Sequence, residues 1–196
     1  MAVIIFTGIS LVSCNQKKEK MSPDEAKQIA EKAYIFVYPM LDNYKTMYVV
    51  SIWKESPAFV VPFNTLYNNA VLSGPESTAV VRPNNDTYYS QAIVDLRREP
   101  MVISVPAITD KRYYSFQLID LYTHNFDYIG TRKTGFDAGH YLIAGPSWEG
   151  EKPDGIVKII RTECNLVVAL CRTQVFGPGD AYYFDRGENL CSRIMK

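Results

Sequence analysis

The 196-residue sequence predicts a mainly β domain, a β-sandwich preceded by a helical segment. From residue 87 onward, short segments with strand character recur, each bounded by Pro, Gly, Asp or Asn. This pattern is typical of sandwich folds rather than of a parallel α/β sheet. Tyrosine, which is favoured in strands, occurs 14 times. The length fits one such domain and a short targeting segment.

The helical segment begins with a strong start signal. Ser22 is placed as the N-cap, Pro23 as the first helical residue, and Glu25 completes a capping box. Apolar residues then recur at helical spacing, and Pro39 is expected to end or kink the helix near Tyr38. A second piece continues to about residue 49, so the sequence predicts a kinked helical segment within residues 22–50.

Seven strands are predicted in the second half of the chain: Tyr88–Leu96, Met101–Val105, Tyr113–Leu121, Phe126–Gly130, His140–Ala144, Gly155–Ile160 and Asn165–Arg172. They place the sandwich at about residues 87–176. Residues 51–82 contain several Pro, Gly and Asn residues, so we expect a loop there.

The amino terminus resembles an export signal. Residues 2–12 are apolar but too short for a transmembrane helix of about 20 residues, whereas signal-peptide cores have roughly 7–15. The following residues, Leu11-Val12-Ser13-Cys14, resemble a lipobox. We therefore expect a lipoprotein signal peptide at residues 1–14, lipidation of Cys14 and a tether at residues 15–21.

This prediction implies an exported protein that is lipid-anchored to the bacterial cell envelope, with the membrane as a partner through the amino-terminal lipid. Basic residues are missing between Met1 and the apolar stretch. A buried amino-terminal strand with an incidental cysteine is therefore the alternative.

Charge and cysteine content exclude several classes of protein. The 21 basic residues balance the 21 acidic ones without forming a basic face, so no nucleic-acid partner is expected. If Cys14 carries a lipid, three cysteines remain: Cys164, Cys171 and Cys191. An odd number cannot form a complete set of disulfide bonds. We interpret Cys164 and Cys171 as buried apolar residues, and expect neither a metal site nor a cofactor.

Several motifs resemble those of one bacterial family. They include RPNNDTYYSQAIVD at residues 82–95, RYYSFQLIDLYT at residues 112–123 and YLIAGP at residues 141–146. With others between about residues 26 and 180, they resemble the family called domain of unknown function 1254 (DUF1254). The resemblance implies an immunoglobulin-like β-sandwich preceded by helices, at residues 22–180, and no transferable activity.

The resemblance stops after Asp180. Residues 181–196 form an atypical tail with neither helical nor strand character, for which a frameshift or early stop is a natural explanation. Members of the family usually continue into a second β module, DUF1214. A module of this type is therefore an expected partner that is absent from this chain.

Two polar clusters are candidate sites. The first is Arg82, Asn84, Asn85, Asp86, Thr87 and Tyr89. Asn and Asp are common in turns, and Arg82 could pair with Asp86 or Asp95. Alternatively, a carboxylate, amides and an arginine face a pocket for a polar or acidic ligand.

The second cluster follows the strand that starts at Tyr113, and its members are Arg112, Tyr113, Tyr114, Gln117, Asp120, Tyr122 and Asn125. Alternation places Tyr114, Phe116, Leu118, Asp120 and Tyr122 on one face of this strand. Asp120 needs a partner there, which Arg132 or Arg172 could provide. The pair is either structural or part of an acid/base centre in a tyrosine-lined cleft.

Two functions are compatible with these clusters. The first is a non-catalytic binding or accessory module for a small polar or sugar-like ligand, or for a partner domain. The second is a hydrolase-like enzyme with Asp86 and Asp120 as candidate catalytic acids. The ligand-binding candidates are Arg82, Asn84, Asn85, Asp86, Tyr89, Tyr114, Tyr122 and Arg132. His124 and His140 lack the GxSxG motif of a serine hydrolase.

We predict that Cys14→Ala abolishes lipidation, because the thiol of Cys14 would carry the lipid. In detergent-phase partitioning, the wild type should enter the detergent phase and the variant should stay in the aqueous phase. Equal partitioning of the two proteins would contradict the lipoprotein prediction.

Overall fold

The computed structural model describes residues 21–78, 81–181 and 193–195, and the chain divides into two compact units after Phe36. Cys14, Cys191 and the predicted signal peptide lie outside the described residues. Within the described ranges, no helix combines the length and apolar character needed to cross a membrane.

The helix α1 spans Pro23–Met47 and begins where the sequence predicts. The backbone N–H of Glu25 donates to the Ser22 hydroxyl (3.1 Å), which is the expected cap. Of the predicted end or kink near Tyr38, the end is not observed, because the helix continues through Pro39. Proline removes a single backbone donor, which the bonds of the neighbouring turns can outweigh. A π-helical turn, Tyr48–Ile52, follows.

The described residues form nine strands: β1 Tyr67–Asn69, β2 Thr87–Asp95, β3 Met101–Val105, β4 Tyr114–Ile119, β5 Asn125–Gly130, β6 Gly139–Ala144, β7 Ile156–Arg161, β8 Leu166–Gln174 and β9 Arg193–Met195. One sheet has the order β1-β2-β8-β4-β5, and the other β7-β6-β3-β9. Neighbouring strands are antiparallel, except that β6 and β7 are parallel. The predicted mainly β, sandwich-like fold is confirmed.

All seven predicted strands are present, within two residues at most ends. Two strands were not predicted. β1 lies in the expected loop, and β9 lies in the tail that was expected to form neither helix nor strand. Both are three-residue edge strands, which are too short to show an alternating pattern.

The main core lies between the two sheets and contains side chains from both. Its fully buried members include Phe116 and Ile129 from the five-stranded sheet and Met101, Ile103 and Ile143 from the other. Strands with one face in this core alternate between buried and partly exposed residues, as β3 and β4 do. Their outward faces are therefore available for other contacts.

A smaller cluster covers part of the outward face of the five-stranded sheet. Met47, at the end of α1, packs against Ile93 and Leu166, and Val50 and Val168 join this cluster. The loops are held there by Asn64, whose Oδ1 accepts the backbone N–H of Asp95 (2.8 Å). The other half of the face, towards the start of β2 and the end of β8, is not covered by this cluster.

Asp127 joins the two sheets through an ion pair. Its carboxylate accepts a hydrogen bond from Lys158 of β7 and lies 3.7 Å from Nζ of Lys133. Burial opposes its charge, but the bonds from Lys158 and from the backbone N–H of Tyr128, with both lysine charges, outweigh burial and lower the pKa of Asp127.

We predict that Asp127→Asn lowers the free energy of unfolding by about 1–2 kcal/mol at pH 7. A carboxyl with a lowered pKa in the folded state stabilises the fold above its unfolded pKa. That contribution disappears as the pH falls through the folded pKa. In urea unfolding, the deficit should therefore be smaller at pH 3 than at pH 7. The exposed Asp137→Asn is the control, and an equal deficit at both pH values would contradict the ionic explanation.

Candidate functional site

The half of the five-stranded sheet that the smaller cluster around Met47 leaves uncovered, here called the open face, presents a polar surface among the described residues. Its side chains form two rows across the strands: Asn69, Tyr89, Arg172, Ser115 and Gly130, then Tyr67, Gln91, Leu170, Gln117 and Tyr128. Only Leu170 and Gly130 lack a polar side-chain group. This composition contrasts with the apolar residues on the covered half.

Arg172 lies at the centre of the open face, on the middle strand β8. Its Nη1 donates to Oε1 of Gln117 (2.7 Å), and its guanidinium carbon lies 5.5 Å from the centre of the Tyr89 ring. Among the described residues, no carboxylate forms an ion pair with it. Most of its five N–H donors are therefore available to a ligand.

The two neighbours of Arg172 are themselves fixed. Nε2 of Gln117 donates to Oδ1 of Asn125 (2.7 Å), and Nδ2 of Asn84 donates to the Tyr89 hydroxyl (2.9 Å). A chain of contacts thus crosses four strands and holds the arginine on both sides. Such support lowers the entropy lost when a ligand binds.

Two grooves flank Arg172, and Arg172 lines both. The β1–β2 groove has a volume of about 450 Å³ and includes Tyr67, Asn69, Ser73, Arg82, Tyr89 and Gln91. The β4–β5 groove has a volume of about 470 Å³ and includes Tyr113, Ser115, Gln117, Tyr128, Arg132 and Lys133. Both volumes are within the range of small-molecule sites.

The first predicted cluster contributes unequally to this face. Arg82 and Tyr89 line the β1–β2 groove. Asn84 lies beneath the loop, where its Oδ1 accepts bonds from the backbone N–H and hydroxyl of Thr87 (3.1 and 2.9 Å). Asn85 and Asp86 are exposed and line neither described groove.

The expected ion pairs of Arg82 are not formed. Asp95 instead pairs with Arg97 (2.7 Å), and the hydrogen bond from Arg97 is the main cause of a lowered Asp95 pKa. Arg82 has a left-handed backbone (φ 57°), which is uncommon for a residue with a side chain. Its side chain has no ion pair within the described part of the chain.

The second predicted cluster is divided by the fold. Arg132 lines the β4–β5 groove. Tyr114 also borders this groove, but it has no exposed surface and its hydroxyl donates to the carbonyl of Gly135 (3.2 Å). Tyr122 lies in the turn after β4, at the opposite end of that strand from the groove. The fold therefore separates Tyr122 from the other two residues.

Asp120 has a local structural partner rather than an arginine. Its Oδ1 accepts the backbone N–H of His124 (2.9 Å), and its Oδ2 lies 3.7 Å from Nδ1 of the same residue. The expected pairing with Arg132 or Arg172 is wrong, because Asp120 follows the last residue of β4 and belongs to the turn. Asn43 also donates to the Asp120 carbonyl (3.1 Å).

Asp86 and Asp120 are too far apart to act as a glycosidase pair. The register aligns Tyr88 with Thr173, and Thr173 with Tyr114. The two acids are therefore separated by about eight residues along the strands, or roughly 25 Å at about 3.3 Å per residue. Paired carboxylates in glycosidases lie within about 9.5 Å.

The remaining reactive residue types lie apart from the open face. His140 Nδ1 lies 2.7 Å from the Ser104 hydroxyl on the other sheet, whereas His124 is in the turn with Asp120. Cys164 and Cys171 are buried, as predicted, and form no disulfide among the described residues; burial raises the pKa of the Cys164 thiol. The described residues contain no group of three or more metal-ligating side chains.

The sequence does not identify Arg172 as the centre of the site, and it predicts this residue only as an ion-pair partner for Asp120. The available signal was alternation along the last predicted strand, where Leu166, Val168 and Leu170 share a face that ends in Arg172. A charged residue at the end of an otherwise apolar strand face indicates that the residues packed against this face end at that position.

Comparisons with known proteins identify similarity but no activity. A family model described as protein of unknown function (DUF1254) matches residues 63–188. No curated protein matches the chain.

The crystal structure of the VPA0106 protein from Vibrio parahaemolyticus is similar, with a TM-score of 0.64 and 25% identity, covering 81% of this chain and 36% of that one. A putative uncharacterized protein from Burkholderia cenocepacia has a TM-score of 0.41 and 13% identity, over 82% of this chain and 41% of that one. The chain thus spans 36% of the length of VPA0106.

We predict that Asn84→Ala destabilises the domain by about 1–2 kcal/mol, because Thr87 loses its acceptor and Tyr89 its donor. Asn85→Ala is the matched control, since Asn85 has no hydrogen bond among the described residues. Urea unfolding of both variants measures the difference. Equal stability of the two variants would show that the Asn84 bonds do not hold this loop.

Proposed function

The chain belongs to the DUF1254 family, and we propose that its β domain is a non-catalytic binding module for a small polar or sugar-like ligand. The ligand lies on the open face, against Arg172. One observation carries this proposal: the central arginine is half-buried, is fixed by Gln117 and Tyr89, and has no ion pair among the described residues.

The chemistry of the face favours a ligand with a carboxylate and several hydroxyl groups. A guanidinium binds a carboxylate through two parallel N–H···O bonds, which are stronger than bonds between neutral groups. Amides such as Gln91 and Asn69 both donate and accept, as hydroxyl groups do. An acidic sugar presents both kinds of group.

The hydrolase alternative has less support. Asp120 is bound to its own turn, and Asp86 lies roughly 25 Å away along the strand direction. Catalysis by either acid alone remains a prediction that the Asn variants of both would test.

For location, we propose an exported lipoprotein of the bacterial cell envelope, anchored at Cys14. Support comes from the lipobox-like sequence Leu11-Val12-Ser13-Cys14. We also propose that further polypeptide, of the kind that makes VPA0106 longer than the matched part, acts as a partner of this module where it is present.

We predict that D-galacturonate raises the melting temperature of the full chain more than glucose does. Arg172→Gln should weaken galacturonate binding about 10- to 100-fold, since a hydrogen bond to a charged group contributes about 1.5–3 kcal/mol. Arg172→Lys should give an intermediate affinity, because it keeps the charge but not the planar fork.

The control is Arg98→Gln, which removes the same charge from an exposed position that lines neither groove. Calorimetric titration measures the affinities, and the melting temperature without ligand checks that each variant is folded. The proposal is wrong if neither sugar binds, or if folded Arg172→Gln binds galacturonate as the wild type does.

A further inference from the structure

Resting on the proposed binding site, we propose that the natural ligand is an acidic oligosaccharide that crosses the strands and occupies both grooves at once, with Arg172 at its middle. The two grooves are halves of one surface, because Arg172 contributes to both. A single small ligand at Arg172 would leave most of each groove empty.

The dimensions of the face fit an extended ligand. The first row of outward residues runs from Asn69 on β1 to Gly130 on β5. Four intervals between adjacent strands, at about 4.8 Å each, give a length of about 19 Å. This length requires several linked rings rather than one.

Each part of the open face carries positive charge. The β1–β2 groove has Arg82, the middle has Arg172, and the β4–β5 groove has Arg132. None of the three has an ion pair among the described residues, and no described acidic residue lines either groove. A ligand with a carboxylate on successive units would meet one arginine in each part of the face.

Arginines elsewhere in the fold do have acidic partners, so the absence of acidic residues among the described lining residues is specific to the two grooves. Arg112 lies 2.6 Å from Asp110 and 3.3 Å from Asp180, and these bonds raise its pKa against the opposing effect of burial. Lys133, at the rim of the β4–β5 groove, is paired with Asp127. The grooves thus contain charge that the protein itself does not neutralise.

The other side chains distinguish a saccharide from an acidic peptide. Each groove combines tyrosines with amide side chains: Tyr67, Tyr89, Asn69 and Gln91 in one, and Tyr113, Tyr114, Tyr128 and Gln117 in the other. Tyrosine offers an apolar ring and a hydroxyl, which suits the C–H faces and hydroxyls of sugars. Extended peptides usually bind to sheet edges through backbone bonds, whereas the backbone of β8 is paired on both sides.

The experiment compares galacturonate, trigalacturonate, maltotriose and hexaglutamate in calorimetric titrations of the full chain. The acidic trimer should bind at least about 10-fold more tightly than the acidic monomer, because linked units bind with a high effective concentration. Maltotriose and hexaglutamate should each bind at least about 10-fold more weakly than trigalacturonate.

Single substitutions then test whether each groove contributes to binding of the trimer. Arg82→Gln and Arg132→Gln should each weaken trimer binding about 5- to 50-fold while changing monomer binding by less than about 3-fold, since each removes one of three charge-assisted contacts. Arg172→Gln should weaken both ligands. The matched control Arg98→Gln should change neither.

The outcomes separate this inference from the proposed function. If monomer and trimer bind equally and both depend on Arg172, the two-groove inference is wrong and the proposed function stands. If only one of Arg82 and Arg132 matters, or if hexaglutamate binds as tightly as trigalacturonate, the inference is also wrong. If no probe binds, both proposals are overturned.

Discussion

The pairing of β8 with β2 on one side and β4 on the other is the constraint on which the rest of this domain depends. The strand has nine residues, and its successive side chains point alternately into the core and towards the outward face of the sheet. Val167, Ala169 and Cys171 enter the core between the sheets. On the outward face, Leu166 packs against the end of α1, and Arg172 belongs to the open face. One strand therefore contributes to the core, positions the end of the helix and carries the central residue of the candidate site.

The comparison between two arginines supports the proposed binding role of Arg172. Arg112 has two carboxylates, the carbonyl of Gln174 and the ring of Phe176 as partners. Arg172 has only neutral partners within the described residues, an amide and a ring. A half-buried guanidinium without an acid is costly to desolvate, and residues with such a cost are concentrated at functional sites. The fixed network around it keeps the remaining donors aimed at the open face.

The sequence predicts the strands and the fold class better than the site. Seven strands were predictable because each has enough residues to alternate, whereas β1 and β9 have three residues each. The helix passes Pro39, where local propensity allows an end, because proline removes one backbone donor while the hydrogen bonds of the turns on either side remain. Arg82 and Tyr89 belong to the first predicted cluster, Arg132 is a predicted ligand-binding candidate, and all three line the grooves. However, their relation to Arg172 depends on strand order, β2-β8-β4-β5, which a single sequence does not contain.

The proposed binding role rests on the residue types of the open face. General acid–base catalysis most often employs His, and also Asp, Glu, Cys, Lys or Tyr. No His, Asp, Glu or Cys is among the described residues that line either groove, which offer arginine, lysine, tyrosine, amide and hydroxyl groups. Under the proposed function, the arginines bind an anion, and the tyrosine, amide and hydroxyl groups orient it.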